Sequence, residues 1–213
     1  MSHPKTIAAL RSLVAAWTPP DWRNGARVAT GIRAVDEALG GGLPSGRLTE
    51  LVSVPGAGGQ FVLARILRTA RAARQRVALI DAADAFAPES FAPDDLRHLV
   101  WARAHHLHEA LAVTDVLVRD GNFATVVLDL RDVPVRELNR TPKSVWHRFH
   151  RVAERQPAAV LALSHHAVVP AVRWRLVLSQ PWRLADRRRP QEQLAPALSI
   201  EAARSHLAEE LAG

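Results

Sequence analysis

The sequence predicts an α/β fold with a mostly parallel central sheet flanked by helices.

 Two patterns carry this expectation. Continuous apolar runs such as Arg76–Asp81 (RVALID), Ala124–Leu130 (ATVVLDL) and Ala158–Ser164 (AAVLALS) read as strands buried on both faces. Between them lie segments whose apolar residues recur three and four apart, as in amphipathic helices. A chain of 213 residues with 48% hydrophobic content is also long enough to bury one sizeable core.

In chain order, Ile7, Leu10, Leu13, Val14 and Trp17 fall on one helical face, so residues 1–18 are expected to form a helix. Thr18-Pro19-Pro20 stops it, and residues 19–29 read as a linker. Such a helix buries its stripe either on its own core or on a partner or neighbouring subunit. The core is expected over residues 30–184. A short helix carrying Asp36 and Leu39 ends at Gly40-Gly41-Gly42, where glycine permits positive φ. Leu48 to Val54 reads as a strand, Pro55 to Gly59 as a Gly-rich turn, and Phe61 to Arg74 as a helix. After the strand Arg76–Asp81, Pro93 to His98 suggests a short helix and Leu99 to Ala104 a strand. His105 to Arg119 follows as a helix with Leu107, Ala110, Leu111 and Val118 facing inward. Thr141 to Arg155 is amphipathic, burying Val145, Phe149 and Val152, and Val172 to Ser179 reads as an edge strand. Residues 185–213 are expected to be an Arg-rich tail with a final helix from Ile200 to Leu211.

Charge and composition narrow the function. The net charge of +7 comes from 28 basic residues, all of them Arg except Lys5 and Lys143. Such a surface favours polyanionic or acidic partners. Arg173, Trp174, Arg175, Trp182, Arg183, Arg187, Arg188 and Arg189 are close in sequence and are opposed in that stretch only by Asp186. Arginine beside aromatics suits stacking on single-stranded nucleic acid. It suits a protein interface equally well, and a plain solvated surface is the third reading. Lys143, Arg148, Arg151 and Arg155 form a second basic stripe, read as the solvated face of its helix.

Several chemistries are excluded. Without Cys there is no disulfide framework and no thiolate metal site. His105, His106, His108, His147, His150, His165 and His166 lack a nearby carboxylate pair at ligand spacing, so no metal is expected. No G-x-S-x-G occurs. No apolar run reaches the roughly 18 residues of a membrane span, and Met1 to Thr6 lacks a signal-peptide core. A cytoplasmic protein with no membrane partner is the expectation.

The Gly-rich turn is the most specific feature. A phosphate-binding P-loop reads G-x-x-x-x-G-K-[ST] between a strand and a helix. Its amides cradle phosphate, its Lys reaches the β and γ oxygens, and its hydroxyl holds Mg²⁺. Here Ser53 stands at the first Gly position, Gly59 at the Lys position and Gln60 at the Ser/Thr position, while Gly56 and Gly58 keep the turn. No bound cofactor is expected.

The run Thr30-Gly31 through Asp36, Leu39, Gly40-Gly41-Gly42, Gly46-Arg47 and Glu50 resembles the start of the RecA recombinase core. Leu79-Ile80-Asp81-Ala82-Ala83-Asp84 resembles the segment that carries that family's water-activating glutamate, and Ala83 stands at the glutamate's position. Asp129 matches a Walker B aspartate. The resemblance also implies a long DNA-contacting loop after Ser164, but only His165 to Ala171 separate that strand from Val172. Three missing groups and a shortened loop predict a non-enzyme.

Among degenerate RecA relatives, the sequence is similar to the ImuA family, SulA/RecA-like accessory proteins of bacterial mutagenic translesion synthesis. The similarity covers about residues 30–179 and includes the lost lysine after Gly46-Arg47-Leu48-Thr49-Glu50-Leu51 and the run from Leu117 to Leu130. It implies a non-catalytic adaptor in the DNA-damage (SOS) response. The implied partners are an inactive Y-family-like polymerase subunit (ImuB-like), an error-prone C-family polymerase and RecA, with weak DNA contact and self-association through the N-terminal helix. The alternatives are a pseudo-subunit that modulates RecA filaments and a RecA-like ATPase with an unorthodox site.

Overall fold

The computed structural model describes residues 26–183, 185–186 and 191–204. The expected helix bearing Ile7, Leu10, Leu13, Val14 and Trp17 lies outside these residues, as do Arg187, Arg188 and Arg189.

The chain opens with β1 (Arg27–Val28), α1 (Arg33–Ala38) and β2 (Leu43–Pro44), β1 and β2 pairing antiparallel. Then come β3 (Leu48–Ser53), α2 (Gly59–Ala72), β4 (Val77–Asp81), β5 (Leu99–Arg103), α3 (Leu107–Asp120) and β6 (Thr125–Asp129). The second half holds α4 (Val135–Arg140), α5 (Lys143–Ala153), β7 (Ala159–Ser164), β8 (Trp174–Leu178), α6 (Gln191–Leu194) and β9 (Ile200–Arg204). The main sheet has the order β5-β4-β6-β7-β3-β8-β9, parallel except for the β8–β9 pair.

Burial explains the apolar runs. Every residue of β3, β4, β6 and β7 is buried, because helices cover both faces of the sheet. Side chains alternate between two cores. Val77 and Leu79 join Phe61, Leu63 and Ile66 of α2, whereas Ala78 and Ile80 join Trp146 and Phe149 of α5 and Leu107 of α3. Trp146 meets Phe149 edge to face at 6.0 Å. The inward residues expected of α3, Leu107, Ala110, Leu111 and Val118, are buried.

Four expectations change. The Val172–Ser179 strand is internal: β8 lies between β3 and β9. Its outer neighbour β9 uses Ile200 to Arg204, which had read as the start of a helix. The exposed N–H and C=O groups of β8 are satisfied by pairing with it, an outcome that outweighs the helix propensity of its alanines. Pro93 to His98 forms successive turns, with Asp95, Arg97 and Leu99 each bonding three residues back and no helical ladder. Finally, the core reaches beyond residues 30–184. β1 falls within the expected linker, and Leu194 and Leu198 of the expected tail are buried in the α2-side core.

Candidate functional site

β3 delivers the chain to the Gly-rich turn at the carboxyl end of the sheet, and α2 leaves from it. Gly58 has φ +100°, a left-handed conformation that suits glycine, and caps the helix. Gly59, the first residue of α2, lies directly against Ser53. A Cβ at position 59 would sit 2.8 Å from Ser53 Oγ and 2.9 Å from Ser53 Cβ. The two departures from the P-loop pattern are therefore one steric event. A side chain fits at position 53 or at position 59, but not at both.

Asp129, at the end of β6, is 8% exposed. Arg131 binds it with two hydrogen bonds, Nε to Oδ1 at 2.9 Å and a terminal nitrogen to Oδ2 at 2.5 Å. The same terminal nitrogen donates to Gln60 Oε1 at 2.9 Å. Burial on its own would weaken the guanidinium's hold on its proton. The Asp129 hydrogen bonds and the charges of Asp129, Asp132 and Asp81 outweigh it, raising Arg131 above its already high range. A cation of the protein's own thus joins the Walker B position to the position of the Mg²⁺-binding hydroxyl. A divalent ion there would meet a like charge and no free carboxylate oxygen, so the residues present do not fit Mg²⁺·nucleotide.

The far side of the turn is covered by the chain after β8. Trp182 donates its backbone N–H to Gly56 O at 2.9 Å and sets its ring edge-on to Phe61 at 5.5 Å. A Cβ on Gly58 would lie 2.8 Å from Leu198 Cδ2 and 3.0 Å from the Trp182 ring. A cavity of about 320 Å³ remains, bordered by Phe61, Trp182 and Leu194, with Ser53, Gln60, Arg131 and His165 as its polar side chains among the described residues. His165 Nδ1 lies 2.5 Å from the Ser53 carbonyl oxygen.

This strand–turn–helix, with the carboxylate-ended strand β6 two places away in the same sheet, is the layout of a nucleotide-binding core, and the sequence comparisons agree. The RecA N-terminal domain profile matches residues 23–140, more than half of the chain. The chain belongs to the RecA family. It is 34% identical to Protein RecA of Streptomyces venezuelae over 106 residues, which is 48% of this chain and 28% of that protein. It is 35% identical to Protein RecA of Rubrobacter xylanophilus over 108 residues, 49% of this chain and 31% of that one. The matched region is thus under a third of either relative's length.

Other positions singled out by the RecA resemblance have settled into structural work. Asp81 accepts hydrogen bonds from the amides of Ala85 and Phe86 at 3.0 and 2.8 Å, folding the turn that follows β4. Ala83 packs at the edge of the α3-side core. Asp84 is gripped by Arg103 at 2.6 and 2.8 Å, and that hydrogen-bonded guanidinium holds its carboxyl below the usual range.

The Arg/Trp stretch does not form one cluster. β8 runs through it, and a five-residue strand holds its ends on the order of 15 Å apart. Arg173 and Trp174 lie at the amino end of the sheet, while Trp182 and Arg183 lie beside the Gly-rich turn. Arg175 is not available to a ligand. Its Nε binds Glu50 Oε2 at 2.5 Å, and a terminal nitrogen donates to Val169 O at 2.7 Å. Glu50 is fully buried, and its other oxygen accepts the Val168 and Val169 amides at 2.7 and 2.9 Å. This buried pair fixes the short Ser164–Val172 connection.

Sequence reasoning missed Arg131 and grouped Trp182 with residues that β8 holds apart from it. A basic residue two positions after the Walker B aspartate was the available signal for the first. For Trp182, closeness in sequence hid the length of the strand between. Among the described residues no cluster could hold a metal ion and no helix is long and apolar enough to cross a membrane.

Proposed function

We propose that this RecA-family chain is a non-catalytic adaptor of a mutagenic translesion DNA synthesis complex, of the ImuA kind. The observation that carries the non-catalytic half is Arg131, whose guanidinium joins Asp129 to Gln60. A site organised around an internal cation has no use for Mg²⁺, and the Ser53–Gly59 contact leaves no room for a P-loop lysine. The adaptor half rests on the likeness to ImuA in the degenerate loop, the short connection after Ser164 and the run from Leu117 to Leu130. Its partners in this reading are an ImuB-like polymerase subunit and a C-family polymerase.

Two measurements test it. Titration calorimetry with ATP·Mg²⁺ is expected to show no binding tighter than the millimolar range, and micromolar binding would return the chain to the ATPases. Co-purification with the ImuB-like subunit tests the adaptor role. Association with RecA filaments in place of that subunit would make the chain a filament modulator.

A further inference from the structure

The amino end of the sheet, opposite the Gly-rich turn, holds two adjoining clefts of about 500 and 430 Å³. Arg47 and Arg173 border both, Arg27 the first and Arg151 the second, and all four are exposed. Among the described residues no carboxylate pairs with Arg27, Arg151 or Arg173. Arg27 and Arg173 instead each lie 5.9 Å from the centre of the Trp174 ring. Among the described residues, the one acid bordering the clefts is Glu154, hydrogen-bonded to Arg47. Two polar side-chain atoms in the walls also lack partners among the described residues: the Ser45 hydroxyl, on a residue 7% exposed, and His150 Nε2.

We propose that these clefts dock an acidic segment of a protein partner. The guanidiniums and the Ser45 hydroxyl are donors suited to carboxylates. Nucleic acid fits the same surface less well. Single strands need aromatic faces on which to stack, and Trp174 has its ring engaged by two arginines. Glu154 stands among the arginines, where it repels a run of phosphates but can accept the backbone N–H groups of a peptide. The two clefts share Arg47, Glu154 and Arg173 and each has room for several side chains, which suits a short peptide bearing spaced Asp or Glu residues. This inference does not depend on the adaptor reading, since acidic docking would hold for any partner.

The test uses the full chain and a short fluorescein-labelled peptide of alternating Glu and Leu. Its Glu-to-Gln counterpart and a labelled deoxythymidine oligomer serve as comparison probes. The Glu peptide is expected to bind and the Gln peptide not. Arg151→Glu/Arg173→Glu should weaken the Glu peptide at least about tenfold, as loss of complementary charge does. Arg97→Glu/Arg136→Glu, with the same change in net charge elsewhere, should leave it unchanged. Glu154→Gln should strengthen binding a few fold by releasing Arg47. If the double reversal unfolds the protein by circular dichroism, Arg151→Gln/Arg173→Gln is used in its place, with the same direction expected. The proposal is overturned if the peptide binds equally to both double variants, or if the oligomer binds through Arg151 and Arg173 while the Glu peptide fails to compete. It is overturned too if Glu209→Lys/Glu210→Lys is required before the peptide binds, since the clefts would then serve this chain's own acidic residues.

Discussion

The two ends of the parallel sheet have treated their charges in opposite ways. At the carboxyl end, Asp129 is neutralised by Arg131, Asp81 by loop amides and Asp84 by Arg103. At the amino end, Arg27, Arg151 and Arg173 have no carboxylate partner among the described residues, although Glu154 is near. The difference is physical. A RecA-type loop without its ligand leaves buried amides and a buried carboxylate that cost several kcal/mol each if unpaired, so the protein must satisfy them internally. Exposed arginines carry no such cost and can stay available to a partner. The following predictions break or sharpen that contrast.

The largest effect should come from Glu50, which links the two ends by tying β3 to the short connection before β8. Glu50→Ala leaves Arg175 without its carboxylate and two amides without their acceptor. Breaking a buried pair from one side costs roughly 3–5 kcal/mol, readable as a lower urea midpoint. Arg131→Ala should fall toward the lower end of that same roughly 3–5 kcal/mol range, because both partners keep some solvent contact. Arg131→Ala/Asp129→Asn should be closer to wild type than Arg131→Ala alone, as removal of both charges leaves none uncompensated. By contrast, Arg173→Ala at the amino end should change stability by no more than about 0.5 kcal/mol. Equal losses at Arg131 and Arg173 would erase the distinction.

The steric coupling of the loop gives a smaller effect with a sharper signature. Gly59→Lys should cost about 1–3 kcal/mol by overpacking Ser53, and Ser53→Gly should recover much of that loss in the double variant. Neither change should produce ATP binding, because Arg131 still holds Asp129 and Gln60. Nucleotide binding by the double variant would show that the lysine alone was missing.

The fold was legible wherever burial is two-sided, since β4, β6 and β7 wrote themselves as unbroken apolar runs. The Gly-rich turn was equally visible, because its departures from the P-loop occupy fixed positions at Ser53, Gly59 and Gln60. Less could be read where the outcome depends on distant pairing. Ile200 to Arg204 has the apolar spacing of a helix end, and only the open edge of β8 makes it a strand. Arg131 and Arg175 look like surface cations in sequence, and only the fold places Asp129 and Glu50 beside them. Arg173 and Arg183 look adjacent, but the strand between them carries them to opposite ends.

The smallest effect separates the two ends by pH. His150 faces the amino-end cleft with His147, Glu154, Arg47, Arg151 and Arg173 around it. Burial is the main reason its imidazole lies below the usual 6.5, and His147 and Arg47 add to that. The nearby Pro170 backbone and the charge of Glu154 act the other way. In the unfolded chain the ring takes its proton near 6.5, before the folded protein does. As pH falls through that window the unfolded state binds more protons, so stability declines, and it levels off below the folded pKa. Asp84 is also depressed, by Arg103, but its contribution persists above the ordinary carboxylate value of 3.8 and is lost only as pH falls through its lower folded pKa. Arg131, raised above its usual range, keeps its charge throughout. The melting temperature should therefore drop between about pH 7 and about pH 5 in the wild type, and drop less in His150→Gln. Arg131→Ala should lower the whole curve without changing its slope in that window. An unchanged slope in His150→Gln would mean that the amino end does not sense pH through this ring.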